Sequence, residues 1–345
     1  MQPFIIDPAA PGDAAALVGA IVVEDARAGG RRAFQKGRRI GPEDLATLGS
    51  LDAPVHAVRL DPGELHENEA GLRLAGAVAG PGLEIRGPAQ SRYNLVATVK
   101  GLLRVDEERL FAIDAIPGMA VFALPDHLVV VPGKVAAGVK ITPVAVPEAD
   151  LARVEAIAAG APVIEVRAFR PLAVGVLTTE GMAPALRERF REAVSRKVGW
   201  YGASVTRYLE PAAEREAVAE AFRSLLVEGA DLILAAGGNT IDPLDPALLA
   251  LPDIGAEMLR FGAPAHPGSM FWMARRGAVP IINLASCSMY SKATVADLVL
   301  PRVMAGERIT ADDLHRLGIG GLLDRGMSWR FPPYEADVVD ESGEE

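Results

Sequence analysis

Between Leu172 and Met304 short apolar runs alternate with amphipathic stretches, and this alternation limits the fold more than any other feature of the chain. Leu172 to Thr178 reads as a strand, and Met182, Leu186, Phe190 and Val194 then recur every four residues, the stripe of a helix packed on a sheet. The cycle repeats. Ala203 to Tyr208 is a second strand, and Val218, Phe222, Leu225 and Leu226 line one side of a helix from about Ala212 to Val227. Asp231 to Ala236 is too short for a helix and suits a strand covered on both faces. Val279 to Leu284 makes a fourth strand and Thr294 to Met304 a closing helix. Strands joined through helices run parallel, so the expected fold is α/β, a mostly parallel three-layer αβα sheet.

The region before it follows another pattern. Short β-branched runs at Ala20 to Val23, Val55 to Leu60, Leu83 to Arg86, His127 to Val131 and Val139 to Val146 are cut apart by turns such as Pro81-Gly82, Pro117-Gly118 and Pro132-Gly133. The clearest helix there is Glu67 to Val78, and another, Glu148 to Ala159, leads into the second regime. The spacing therefore predicts a β-rich α+β domain over residues 1–165, an α/β domain over 166–310, and a C-terminal extension over 311–345 whose acidic end is expected to fray.

Composition excludes several function classes. Half the residues are apolar but only 5% aromatic, which fits Ala/Val/Leu-packed layers and argues against a disordered chain. A net charge of −10 denies the chain the broad basic face that sequence-independent nucleic-acid binding needs. The single cysteine, Cys287, forms no internal disulfide, and no stretch approaches the length of a membrane span. A cytoplasmic protein is expected, without nucleic-acid or membrane partners. His56, His66, His127 and His315 lack metal-ligand spacing and read as ordinary residues. The basic run Arg27 to Arg39 reads either as a solvated loop or as an anion clamp.

In a parallel sheet, ligands bind beyond the carboxyl ends of the strands. Three loops qualify: Leu177 to Met182, Ala235 to Pro246, and Asn283 to Lys292. In the second, Gly237 and Gly238 allow close approach of backbone amides, and Asn239 and Thr240 follow. Asp242 and Asp245 then either hold Mg²⁺ beside a phosphate or cap helices that begin at Pro243 and Pro246. Thr178 and Thr179 in the first loop serve a phosphate or an ordinary helix N-cap. Ser286, Ser288 and Lys292 in the third offer hydroxyls and a cation, while Cys287 has no neighbouring histidine to activate it. His266-Pro267-Gly268 should turn tightly between these loops.

Over Pro171 to Gly306 this order of elements resembles the molybdopterin-binding domain shared by molybdopterin adenylyltransferase and molybdopterin molybdenumtransferase. In that family a glycine loop ends a buried strand with an acidic residue eight positions after its first glycine, the relation of Gly237 to Asp245. The family's Lys-Pro-Gly turn is similar to His266-Pro267-Gly268, with His in place of Lys. GGNT stands where the adenylyltransferase has GGTG, and Ala285-Ser286-Cys287-Ser288 where the family has Pro-Gly-Asn-Pro. SCSMYSK, EDARAGGRRAFQKGRRI, LDPGELHENEA and GKVAAGVKITPVAV resemble a further branch of molybdopterin-binding proteins, some fused to a nucleotidyltransferase.

The resemblance implies binding of molybdopterin or its nucleotide form and a part in making, maturing or transferring the molybdenum cofactor. The cofactors implied are Mg²⁺ and ATP or AMP. An enzyme of this kind would be a Mg²⁺-dependent molybdopterin adenylyl- or molybdenum-transferase, with Asp242 and Asp245 at its centre. Its small-molecule partner would be a pterin phosphate; self-association and a molybdoenzyme or nucleotidyltransferase partner are also implied. Two other readings stand beside it: a non-catalytic carrier or sensor of the cofactor, and an unrelated phosphosugar or nucleotide enzyme on a similar sheet.

Overall fold

Strand β3 (Leu232–Ala236) is buried at all five positions, so both of its faces must be covered. The computed structural model describes residues 1–10, 14–237, 241–284 and 294–334. The chain divides into two compact units, one built from Met1–Val99, Leu103–Asp126 and Val130–Val166, the other from Lys100–Leu102, His127–Val129 and the chain from Arg167 onward.

The second unit contains β1 (Ala173–Thr178), α1 (Pro184–Trp200), β2 (Ser204–Leu209), α2 (Arg215–Val227) and then β3. After β3 come α3 (Pro246–Asp253), β4 (Glu257–Phe261), β5 (Trp272–Arg276), β6 (Val279–Leu284), α4 (Val295–Met304) and α5 (Ala311–Arg316). The six strands form one sheet in the order β2-β1-β3-β6-β5-β4. The first four are mutually parallel and the last two antiparallel.

On one face Leu177, Ile233, Ala235 and Ile281 pack with Val218, Phe222 and Leu225 of α2 and Ala250 and Leu251 of α3. On the other, Phe190 of α1 meets Tyr208, whose neighbour in register is Val176. The result is the three-layer α/β arrangement that the alternation predicts.

Strands β4 and β5 add to the four strands that the sequence pattern predicts for this sheet. β5 returns to β6 through the two-residue link Gly277–Ala278, and Gly277 takes φ +59, as tight hairpins require. Both strands are short and carry charges: Arg275 and Arg276 end β5, and Glu257 and Arg260 interrupt β4. Their hydrophobic period is therefore too brief to register in the sequence. No helix among the described residues is long and apolar enough to cross a membrane.

The first unit is β-rich, as expected. Gln2–Ile6, Val55–Arg59 and Ile21–Val22 form an antiparallel sheet over a small core containing Ile6, Phe34, Ile40 and Leu48. A four-stranded antiparallel sheet orders Met119–Ala123, Val135–Ile141, Arg92–Ala97 and Leu83–Ala89. Helix Glu67–Val78 buries Ala70, Leu74 and Val78 in the same core as Leu95, Val139 and Ile141 of that sheet.

Two sequence expectations change here. The run Val139 to Val146 is two strands, Val135–Ile141 and Ala145–Pro147, and the second pairs with Glu64–His66. Helix Glu107–Asp114 was not anticipated; Asp106 caps it by accepting from the Arg109 N–H at 3.1 Å. The basic run forms a hairpin, Ala26–Ala28 with Arg31–Phe34, closed by Gly29 and Gly30 at φ +57 and +75.

The start of α5 shows how local polar geometry sets a pH response. Burial raises the Asp313 pKa, but hydrogen bonds from the Thr310 hydroxyl and N–H and from Arg302 outweigh it and leave the group at about 2. A carboxylate depressed in the fold contributes stability that is complete above its unfolded pKa near 4 and is lost as pH falls toward 2. Urea denaturation between pH 5 and 2 should show this loss, and Asp313→Asn should flatten that part of the profile.

Candidate functional site

The register of the parallel strands sets the three loops level with one another. Thr178 pairs with Ala236, and Ala236 pairs with Leu284, so β1, β3 and β6 end side by side. The chain leaving β3 turns at Gly237, which has φ +83 and donates its N–H to the Leu284 carbonyl at 3.3 Å. A side chain there is excluded twice, because the backbone is left-handed and a Cβ would lie 2.5 Å from Glu180 Cγ. Glu180 therefore lies against the glycine turn and places a carboxylate-bearing side chain beside it. Site selection by sequence left it out, although it stands in the first loop. Its signal is weak because a glutamate after two threonines reads as helix-entry chemistry.

Thr178 is buried, and its Oγ1 accepts from the Glu180 N–H at 3.3 Å; Thr179 is half-buried. Asp245 is also buried and caps α3, its Oδ1 accepting from the Ala247 N–H at 2.9 Å and the Leu248 N–H at 3.4 Å. Asp242 is exposed. Its Oδ1 accepts from the Leu244 N–H at 2.9 Å, and its carbonyl accepts from the Asp245 N–H at 3.0 Å. Both aspartates thus shape the loop that follows Gly237. No group of three His, Cys, Asp or Glu residues among those described is arranged to hold a metal. Mg²⁺ beside a phosphate usually needs only one or two protein carboxylates, which the exposed Asp242 can supply.

His266 is exposed and tied through its backbone: its N–H donates to Gly321 O and its carbonyl accepts from Leu323 N–H, both at 2.8 Å. Gly268 is buried at φ +107, and a Cβ on it would lie 2.9 Å from the Val295 nitrogen. The His-Pro-Gly turn therefore abuts the N-terminus of α4. Gly238, Asn239, Thr240, Ser286, Ser288 and Lys292 lie outside the described residues, as does Cys287.

Two buried polar groups that sequence reasoning missed hold this edge together. Asn283, near the end of β6, accepts from the Trp272 N–H at 2.6 Å and donates to Met270 O at 3.3 Å, fixing the exit of the His-Pro-Gly turn. At the start of α4, Asp297 accepts from Lys197 at 2.6 Å, from Tyr334 at 2.9 Å and from the Thr294 hydroxyl at 2.8 Å. The Tyr201 and Tyr334 hydroxyls lie 3.0 Å apart. The only sequence trace of this network is the Thr294-to-Asp297 capping spacing; Lys197 and the tyrosines come from distant segments.

No family model matches the chain, and no curated protein matches it. Among solved structures it is similar to the molybdopterin biosynthesis enzyme MoaB from Thermus thermophilus, with 20% identity, 39% of this chain and 98% of that chain covered, and a TM-score of 0.29. Similarity to the molybdopterin biosynthesis MoeA protein from Pyrococcus horikosii has 16% identity, covers 74% of this chain and 81% of that one, and has a TM-score of 0.29. A molybdopterin biosynthesis protein from Mycobacterium abscessus matches at 16% identity over 43% of this chain and 91% of its own, with a TM-score of 0.26.

Removing Asp297 would leave the Lys197 ammonium buried without its carboxylate, so Asp297→Ala should lower the unfolding free energy by about 3–5 kcal/mol in urea denaturation. Burial pushes the Tyr201 and Tyr334 hydroxyls well above the ordinary tyrosine pKa. Their contribution to stability is therefore complete below about pH 10 and lost above it, so the melting temperature should fall once pH exceeds that value. Asp245→Ala should cost about 1 kcal/mol through loss of the cap, and Asp245→Asn, which caps equally well, should restore it.

Proposed function

We propose that the second unit binds the phosphate end of molybdopterin or its nucleotide form together with Mg²⁺, and that the protein acts in making, maturing or transferring the molybdenum cofactor. The observation that carries this reading is the level ending of β1, β3 and β6, with the left-handed Gly237 at the middle strand's end. That geometry gathers the loops whose residues resemble the molybdopterin-binding family. It also sets these loops at the rim of a parallel sheet, beyond the carboxyl ends of the strands, where ligands bind.

Each residue then has a distinct task. Gly237 turns the chain at the end of β3 and leaves room for the Glu180 side chain, and Asp245 holds the loop by capping α3. Asp242 provides the exposed carboxylate for Mg²⁺. The His266-Pro267-Gly268 turn packs on the α4 N-terminus, which follows the third loop. Mg²⁺, when bound, would offset phosphate charge as it develops in transfer. In adenylyl transfer, an oxygen of the pterin phosphate would attack the α-phosphorus of ATP and pyrophosphate would leave.

A carrier that retains the cofactor without turnover is favoured by one observation. The buried Asp245 carboxylate is already engaged in capping, which leaves Asp242 as the exposed acid of this loop.

The test is a titration of molybdopterin, AMP and ATP against the full chain with Mg²⁺ varied. Saturable, Mg²⁺-dependent binding of molybdopterin is expected, and Asp242→Asn should weaken it about tenfold, the scale of a lost charged contact. Binding indifferent to both Mg²⁺ and Asp242 would overturn the reading. Release of pyrophosphate from ATP would identify the enzyme, and stoichiometric retention without turnover the carrier.

A further inference from the structure

Residues 318–334 contribute no strand to the six-stranded sheet, yet they grip two elements beside its ligand-facing edge. Leu322 forms a parallel bridge with His266. The Gly321 carbonyl accepts from the His266 N–H, and the Leu323 N–H donates to the His266 carbonyl, both at 2.8 Å. Both backbone polar groups of His266 are thus committed to this segment. Gly321 sits so close that a Cβ on it would lie 2.7 Å from Pro264 O. Arg330 Nη1 donates to Gly320 O at 2.6 Å and folds the segment back on itself.

The second grip is Tyr334, which is buried. Its ring meets those of Trp200 and Tyr201 edge-on, with centroids 6.0 Å away in each case, and the Lys197 ammonium lies 5.1 Å from its centroid. The Tyr334 hydroxyl donates to Asp297 Oδ1 at 2.9 Å. A phenol has one proton, so the Tyr201 hydroxyl, 3.0 Å away, donates to Tyr334 and polarises that bond further.

Asp297 is 1% exposed and needs its donors. Oδ1 also accepts from Lys197 at 2.6 Å, and Oδ2 accepts from the Thr294 hydroxyl at 2.8 Å and the Thr294 N–H at 3.2 Å. Thr294 closes the cap of α4 from within, whereas Lys197 and Tyr334 tie that cap to α1 and to the C-terminal extension. The two grips converge, because Gly268 of the His-Pro-Gly turn abuts the Val295 nitrogen at the same helix end.

We propose that the C-terminal extension is a brace for the ligand site and that Tyr334 is a positioning residue, fixing the start of α4, into which the third loop leads. The proposal rests on the reading of the second unit as a molybdopterin site. Ligand-binding groups must be held to within about 0.5 Å, and a side chain that orders the helix entrance governs affinity without touching the ligand.

Titration of the full chain with molybdopterin and Mg²⁺, read beside hydrogen exchange of the ligand-free chain, tests the brace. Tyr334→Phe keeps the ring packing and removes one donor, so it should weaken binding about tenfold, the scale of a lost hydrogen bond to a charged group. Without ligand, the same variant should exchange faster at Asp297 to Leu300 while Leu232–Ala236 exchanges as before. Val218→Ala, which hollows the α2 side of the core, should lower the melting temperature and leave affinity unchanged. Unchanged affinity in Tyr334→Phe would overturn the proposal. So would an equal loss in Val218→Ala, since affinity would then follow global stability. Unaltered exchange at the start of α4 would overturn it with or without binding. Failure of the unaltered chain to bind molybdopterin would instead overturn the proposed function, and the exchange arm then decides the brace by itself.

Discussion

Coverage of β3 on both faces is the constraint on which the second unit depends. A strand with five buried residues tolerates no polar side chain along its length, so functional groups are displaced to the point where it ends. There the hydrogen-bonded register leaves Thr178, Ala236 and Leu284 level, and the chain can turn only at a residue that accepts a positive φ. Gly237 meets that requirement. The candidate site is thus a consequence of sheet burial as much as of the residues that line it.

The polar side chains near this edge are largely devoted to holding it. Asp245 closes the first turn of α3, Asn283 replaces a backbone pairing at the start of β5, and Asp297 joins Lys197, Thr294 and Tyr334 at the head of α4. Each satisfies groups that would otherwise lose their hydrogen bonds on burial, and each fixes one loop. This division of labour explains how an acidic residue eight positions after a glycine can match a family's pattern and still serve as a helix cap.

The α/β layering was legible in the sequence because its signals are local. Apolar runs such as Leu232 to Ala236 and stripes such as Val218, Phe222 and Leu225 report burial directly. Strands β4 and β5 were not legible, since a five-residue strand with charged ends has no period to detect and its existence depends on pairing with β6. For the same reason Val139 to Val146 looked continuous although Thr142 to Val144 separates two strands belonging to different sheets.

Sequence alone determined which segments must be buried, where the chain must turn and which loops carry hydrogen-bonding residues, because each follows from the side chains of consecutive residues. Tertiary structure decided which loops end level, that Glu180 lies against Gly237, that Lys197 meets Asp297, and that Gly37 lies over Glu67. Those relations join residues from 30 to 100 positions apart. Register and packing set them, and neither is encoded in any local stretch of chain.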